Sequence, residues 1–148
     1  MLTARIDVNA NTLQDLIRLI KYKIQESKKF AVQFIPNYIH TPEDLFIFLK
    51  YKTSYMKDPK EFELLQSMQS LFEDNYHGVP GMGDCDCLTI TGAASLYAIG
   101  SPYNLILAGN KSSPSHIFLK ISGSNEYFDL TRNNFNELPR YKNYWQVP

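Results

Sequence analysis

The spacing of apolar residues changes at Gly100, and that change narrows the fold more than any other feature of the chain. Upstream, apolar positions recur every three to four residues. Leu13, Leu16, Ile17, Ile20 and Ile24 form one stripe, and Leu45, Phe46, Phe48 and Leu49 a second. Phe62, Leu65, Met68, Gln69 and Phe72 form a third, and Leu88, Thr91, Gly92, Ser95, Leu96 and Ile99 a fourth. Each spacing predicts an amphipathic or buried helix. Downstream of Gly100, short apolar runs are separated by Gly, Ser, Pro and Asn: Tyr103 to Ala108, Ser115 to Ser122, and Glu126 to Leu130. These read as strands, with Gly123-Ser124-Asn125 as a hairpin turn. Helices followed by a small antiparallel sheet make an α+β chain.

Local signals mark where the helices start. Asn11 or Thr12 is the expected cap of the first, which fades near Ser27. Phe30 to Ile35, stopped by Pro36, reads as a strand or a buried connection. Thr41-Pro42-Glu43-Asp44 supplies a cap, a proline at the first helical position and acids near the positive end of the dipole. Asp58-Pro59-Lys60-Glu61 repeats that pattern and predicts a helix fading at Asn75. Residues 1–9 carry no strong pattern, and 132–148, polar and aromatic, is expected to wrap the surface. At 148 residues the chain is expected to be one domain, helical over 1–100 and sheet over 101–131.

Composition excludes several classes of function. Fifteen basic residues balance fifteen acidic ones, so no global field attracts nucleic acid or anionic lipid. Lys21, Lys23, Lys28 and Lys29 cluster, but Asp15 and Glu26 are interleaved, which reads as a solvated helix face. No apolar run approaches the ~20 residues that span a bilayer, and Met1 to Asn11 lacks the apolar core of a signal peptide. The expectation is a cytoplasmic or virion-associated protein with no cofactor. The two cysteines, Cys85 and Cys87, are too close to form a relaxed disulfide with each other.

The chemistry concentrates in Gly83-Asp84-Cys85-Asp86-Cys87. Asp84 is a good N-cap, which places Cys85 at the first helical position. There the dipole and the unpaired backbone N–H groups favour thiolate over thiol. Cys87, two positions on, points away from the side that Cys85 faces. Downstream lie His116, within Ser115-His116-Ile117-Phe118-Leu119, and Asp129, within Tyr127-Phe128-Asp129-Leu130. A helix-borne thiol, a strand-borne imidazole and a strand-borne carboxylate are the parts of a nucleophile, its base and the group that orients the base. An oxyanion hole would combine the Cys85 N–H with a donor from Asn75, Tyr76 or His77. A competing zinc reading takes His77, Cys85, Cys87 and His116, but Cys-x-Cys is shorter than the usual ligand spacing and Asp129 would then have no role.

Gly83-Asp84-Cys85-Asp86 at a helix start, Ala93-Ala94 and Leu96 within it, Gly100 at its end, and His116 and Asp129 on successive strands resemble the transglutaminase-like superfamily. These are papain-like cysteine enzymes, and the similar branch is bacterial and phage, with a Gly-Asp-Cys-Asp-Asp motif. The resemblance covers Gly78 to Leu130. It implies Cys85 as nucleophile, His116 as base and Asp129 as acid, and a papain-like core in which the Cys-bearing helix packs on a small antiparallel sheet. It also implies a protein or peptide amide as substrate, cleaved by water or passed to an amine. Cys87 stands where that branch has its second aspartate. The alternative within the same fold is a catalytically idle member that serves as a structural or binding module, such as one in a phage particle.

Overall fold

A computed structural model describes residues 3–7, 13–58 and 62–148, the side chains of 3–7 and 62–63 excepted. Strand β1 (Thr3–Asp7) precedes helix α1 (Leu13–Phe34), helix α2 (Pro42–Lys52) and strand β2 (Ser54–Tyr55). Strand β3 (Phe62–Gln66), helix α3 (Met68–Glu73) and strand β4 (Met82–Gly83) lead into helix α4 (Cys85–Ala98). Strands β5 (Tyr103–Gly109), β6 (His116–Ile121), β7 (Tyr127–Phe128) and β8 (Asn143–Gln146) complete the chain. The last four form one antiparallel sheet in the order β7-β6-β5-β8; β1 pairs with β3, and β2 runs parallel to β4. The architecture is α+β, as the change of period at Gly100 predicts.

Helix α4 lies at the centre. Every residue from Asp86 to Leu96 is buried, so the helix is packed on all sides rather than along one stripe. It contacts α1 most extensively and β6 next. Gly92 sets the approach to the sheet: a Cβ there would meet Leu119 Cδ1 at 3.0 Å and the Phe128 ring at 3.1 Å. The C-terminus closes with the Ser101 N–H donating to the Leu96 carbonyl and the Gly100 N–H to that of Tyr97. Gly100 takes φ 74°, the left-handed turn this closure requires. At the other end Gly83 passes so near the helix that a Cβ would lie 2.8 Å from the Cys87 Cβ.

The second helix begins as its sequence predicts, with the Thr41 hydroxyl accepting from the Asp44 N–H and Pro42 in the first turn. Four expectations are revised. The run Phe30 to Ile35 is no strand: α1 continues to Phe34, because Phe30 and Phe34 stack one turn apart at 5.3 Å while Ala31 is buried. The helix expected from Asp58 starts instead at its cap Ser67, whose hydroxyl accepts from the Ser70 N–H. Asp58 does not cap it; its Oδ2 accepts from the Leu64 N–H, and Phe62 to Gln66 pair with β1 as a strand. That same pairing gives structure to Thr3–Asp7, which carry no pattern in the sequence. The tail does not simply wrap the surface, since β8 adds an edge to the sheet beside β5. Lys23, expected on a solvated face, is buried, with its ammonium 3.3 Å from Glu26. The expected caps Asn11 and Thr12, and Pro59 to Glu61, lie outside the described residues. Among the described residues, no helix is long and apolar enough to cross a membrane.

Candidate active site

Asp84 caps α4 by accepting from the N–H groups of Asp86 (3.1 Å) and Cys87 (3.3 Å) through Oδ1. Cys85 therefore occupies the first helical position, partly exposed, and the capping carboxylate takes the amides after it rather than its own. The Cys85 Sγ lies 3.8 Å from Asp86 Oδ1, a long thiol-to-carboxylate contact. Cys87 faces inward: it is fully buried, its thiol donates to the Leu64 carbonyl at 2.9 Å, and its sulfur accepts from the Gln66 N–H. Burial pushes the Cys87 thiol well above its ordinary value, so this thiol is structural.

His116 opens β6 and is buried. Its Nε2 lies 2.7 Å from Asp129 Oδ2, and both side chains are almost wholly shielded from solvent. A carboxylate only accepts, so Nε2 carries the proton and Nδ1 is the ring nitrogen that Asp129 does not engage. Two aromatic rings lie near-parallel to the imidazole, Phe118 at 5.8 Å and 21° and Tyr141 at 5.6 Å and 18°. Those planes leave the imidazole little freedom to tilt.

Asp129 lies just past the end of β7, which is shorter than the run Glu126 to Leu130 predicts. Its Oδ1 accepts from both the N–H and the hydroxyl of Thr131, at 2.9 and 2.7 Å. The Arg132 N–H donates to the Asp129 carbonyl, and the Arg132 Nε stands 3.8 Å from Oδ2. Thr131 and Tyr141 are thus part of the site although the sequence reading passes over them. The Asp-Leu-Thr spacing of a side-chain turn was available for Thr131. Tyr141 arrives from a distant segment and leaves no local signal.

Cys85 and His116 lie toward the same end of the sheet, on different sides of it. Ile117, Leu119 and Phe128 belong to the core around α4, whereas Phe118 and Ala108 form a separate cluster with Tyr127 and Tyr141. His116 pairs with Ala108 across β5 and shares that second face. On α4, Gly92 packs against Leu119, and the Thr89 hydroxyl donates to the Ile117 carbonyl at 3.1 Å. Helix and strand therefore run in the same direction, and Cys85 is one further turn toward the start of β6. Tyr141 feels the charge of both Cys85 and Asp129: burial, then these neighbours, raises its phenol above the ordinary value, with Arg132 opposing. Tyr55, opposite Gly83 in the β2–β4 pair, is raised by burial and then by Cys85.

The expected oxyanion donors fare differently. Asn75 Nδ2 is committed to the Leu71 and Met82 carbonyls, and the Tyr76 N–H to Gln66 Oε1. The His77 N–H donates to Asn75 Oδ1, while His77 Nε2 is buried with no hydrogen-bond partner among the described residues. The zinc reading requires Cys87 to turn toward Cys85, and its sulfur is instead held by Leu64 and Gln66. Among the described residues no three His, Cys, Asp or Glu side chains gather as metal ligands.

No protein-family model matches the chain, and no curated protein matches it. One solved structure that resembles it comes from Cytophaga hutchinsonii and is described as a "putative cysteine protease". The two are 16% identical with a TM-score of 0.40, and the match covers 88% of this chain. The chain spans about half of that protein, 49% of its length.

Proposed function

We propose that this chain is a cysteine hydrolase or acyl-transferase of transglutaminase-like type, with Cys85, His116 and Asp129 as its catalytic unit and a protein or peptide amide as its substrate. The observation that carries the reading is the buried 2.7 Å pair of His116 Nε2 and Asp129 Oδ2, which leaves Nδ1 as the basic nitrogen at the end of the sheet. Thr89 and Gly92 fix the register of α4 on β6. The four helix residues from Thr89 back to Cys85 rise about 6 Å and one strand residue about 3.3 Å, which supports Cys85 standing near the level of the start of β6.

In this mechanism the Cys85 sulfur attacks the amide carbonyl as its proton passes to His116 Nδ1. The C–N bond breaks, and the imidazolium returns that proton to the departing amine. The thioester is then opened by water or by a second amine. That nucleophile gives its proton to Nδ1, and Cys85 leaves as a thiol once reprotonated. Asp129 stabilises the imidazolium and holds its tautomer. The helix N-terminus and the Cys85 N–H face the developing oxyanion.

The module reading has one observation on its side, the Asp86 carboxylate 3.8 Å from the Cys85 Sγ, which disfavours a thiolate there. Alkylation decides between the two readings. The enzyme reading predicts that iodoacetamide at pH 7 modifies Cys85 at least ~100-fold faster than Cys87, and that His116→Ala slows Cys85 by about ten-fold or more. A Cys85 rate that matches a free thiol and ignores His116→Ala selects the module.

A further inference from the structure

Beside His116 lies a cleft of about 750 Å³ lined by Arg132, Glu137, Leu138, Arg140 and Tyr141. Its Tyr141 wall is the ring that stacks on the His116 imidazole, and its Arg132 wall is the side chain that stands 3.8 Å from Asp129. The cleft therefore shares two of its walls with the surroundings of the His116–Asp129 pair. We infer that it binds a carboxylate of the substrate, either an acidic side chain or a free peptide C-terminus, through Arg132 and Arg140. The inference rests on the cysteine-enzyme reading above and names the substrate class for that site.

Charge balance supports a site for an anion. The Asp129 carboxylate takes its hydrogen bonds from His116 and, twice, from Thr131; Arg132 reaches it only as an ion pair at 3.8 Å, through Nε. The buried Arg132 Nε, whose neighbour is Asp129 Oδ2 at 3.8 Å, makes no hydrogen bond among the described residues. Glu137 is the one acid on the cleft wall; it accepts from Asn134 Nδ2 at 3.4 Å and lies within the electrostatic reach of Lys50. Lys50 is itself fixed, donating to the Leu130 carbonyl at 2.9 Å. Arg140 is exposed and forms no ion pair among the described residues. Counting Lys50, Arg132 and Arg140 against Asp129 and Glu137 leaves one cation in surplus. Two forked guanidinium donors beside a phenol present the planar, bidentate geometry that a carboxylate accepts.

The test measures binding of three peptides to the full chain: Ac-Ala-Glu-Ala-NH2, its Gln counterpart, and Ac-Ala-Ala-Ala with a free carboxyl. The readout is the ¹⁵N resonance of arginine Nε groups during titration, which needs no reactive thiol. We expect the Glu peptide or the free acid to half-saturate at about ten-fold lower concentration than the Gln peptide, the gain of one charge-assisted bond. The tighter of the two acids identifies the source of the carboxylate. Arg132→Gln and Arg140→Gln should each erase most of the preference, and Arg132→Lys, which keeps the charge but not the fork, should keep part of it. Equal half-saturation by acid and amide, a preference that survives both Gln variants, or no saturation by either acid at millimolar concentration overturns the inference. A preference with an unreactive Cys85 would retain the cleft and remove only the enzyme reading, and a reactive Cys85 with no preference would do the reverse.

Discussion

Asp129 accepts from Thr131 twice and from His116 once, with the Arg132 guanidinium at 3.8 Å. That set of partners changes what losing His116 should cost. A wholly unpaired buried carboxylate would destabilise the fold by about 3–5 kcal/mol. Because Thr131 and Arg132 stay, His116→Ala should cost only about 1–3 kcal/mol, read from urea unfolding. Thr131→Val removes the hydroxyl bond but not the N–H bond and should cost about 1–2 kcal/mol. It should also slow alkylation of Cys85, because a loosened Asp129 holds the His116 ring less firmly. Unchanged stability and an unchanged rate in Thr131→Val would remove this residue from the site. The sequence was legible at this scale for Asp84, the predicted cap of the predicted helix, because capping is local. It was silent on Tyr141, whose contact with His116 joins residues 25 apart and follows no spacing rule.

The elements differ in how far local signals carry. Helix α4 was readable at both ends, since Asp84 and Gly100 act within one turn of their own backbone. Phe62 to Gln66 read as helix in the sequence because their spacing also fits one. The deciding contact is with β1, more than fifty residues away, and Asp58 bonds the Leu64 N–H rather than a helix start. β8 was missed for the same reason, as its partner β5 lies far upstream. Gly92 makes the α4–β6 packing testable. A leucine there would meet Leu119 and Phe128 within about 3 Å of its Cβ, too tight for any rotamer. Gly92→Leu should destabilise by about 1–3 kcal/mol as an overpacked core position. It should also push Cys85 away from the start of β6, slowing its alkylation even where the protein remains folded. Wild-type stability and reactivity in Gly92→Leu would show that α4 does not rest on the sheet there.

The α4 helix ties the sheet to α1, and the thiol of Cys87 is sealed within that packing at 0% exposure. Its folded-state value is raised above the ordinary 9.0, so its contribution to stability is complete below that pH. Above it, the unfolded chain ionises while the folded thiol does not, and stability falls by up to about 1.4 kcal/mol per pH unit. Tyr55, Tyr103 and Tyr141, all raised, steepen the loss once pH passes their ordinary 10.0. The urea midpoint should therefore drop between pH 8.5 and about 10, and drop less in Cys87→Ala; parallel curves would show that Cys87 is not sealed. The central claim, that Cys85, His116 and Asp129 act as one unit, is tested most directly by a double-mutant cycle on the alkylation rate of Cys85 at pH 7. If the carboxylate acts only through the imidazole, Asp129→Asn slows the reaction by about ten-fold or more, and the double variant is no slower than His116→Ala alone. Rates that multiply in the double variant, or an Asp129→Asn protein with wild-type reactivity, would contradict the account.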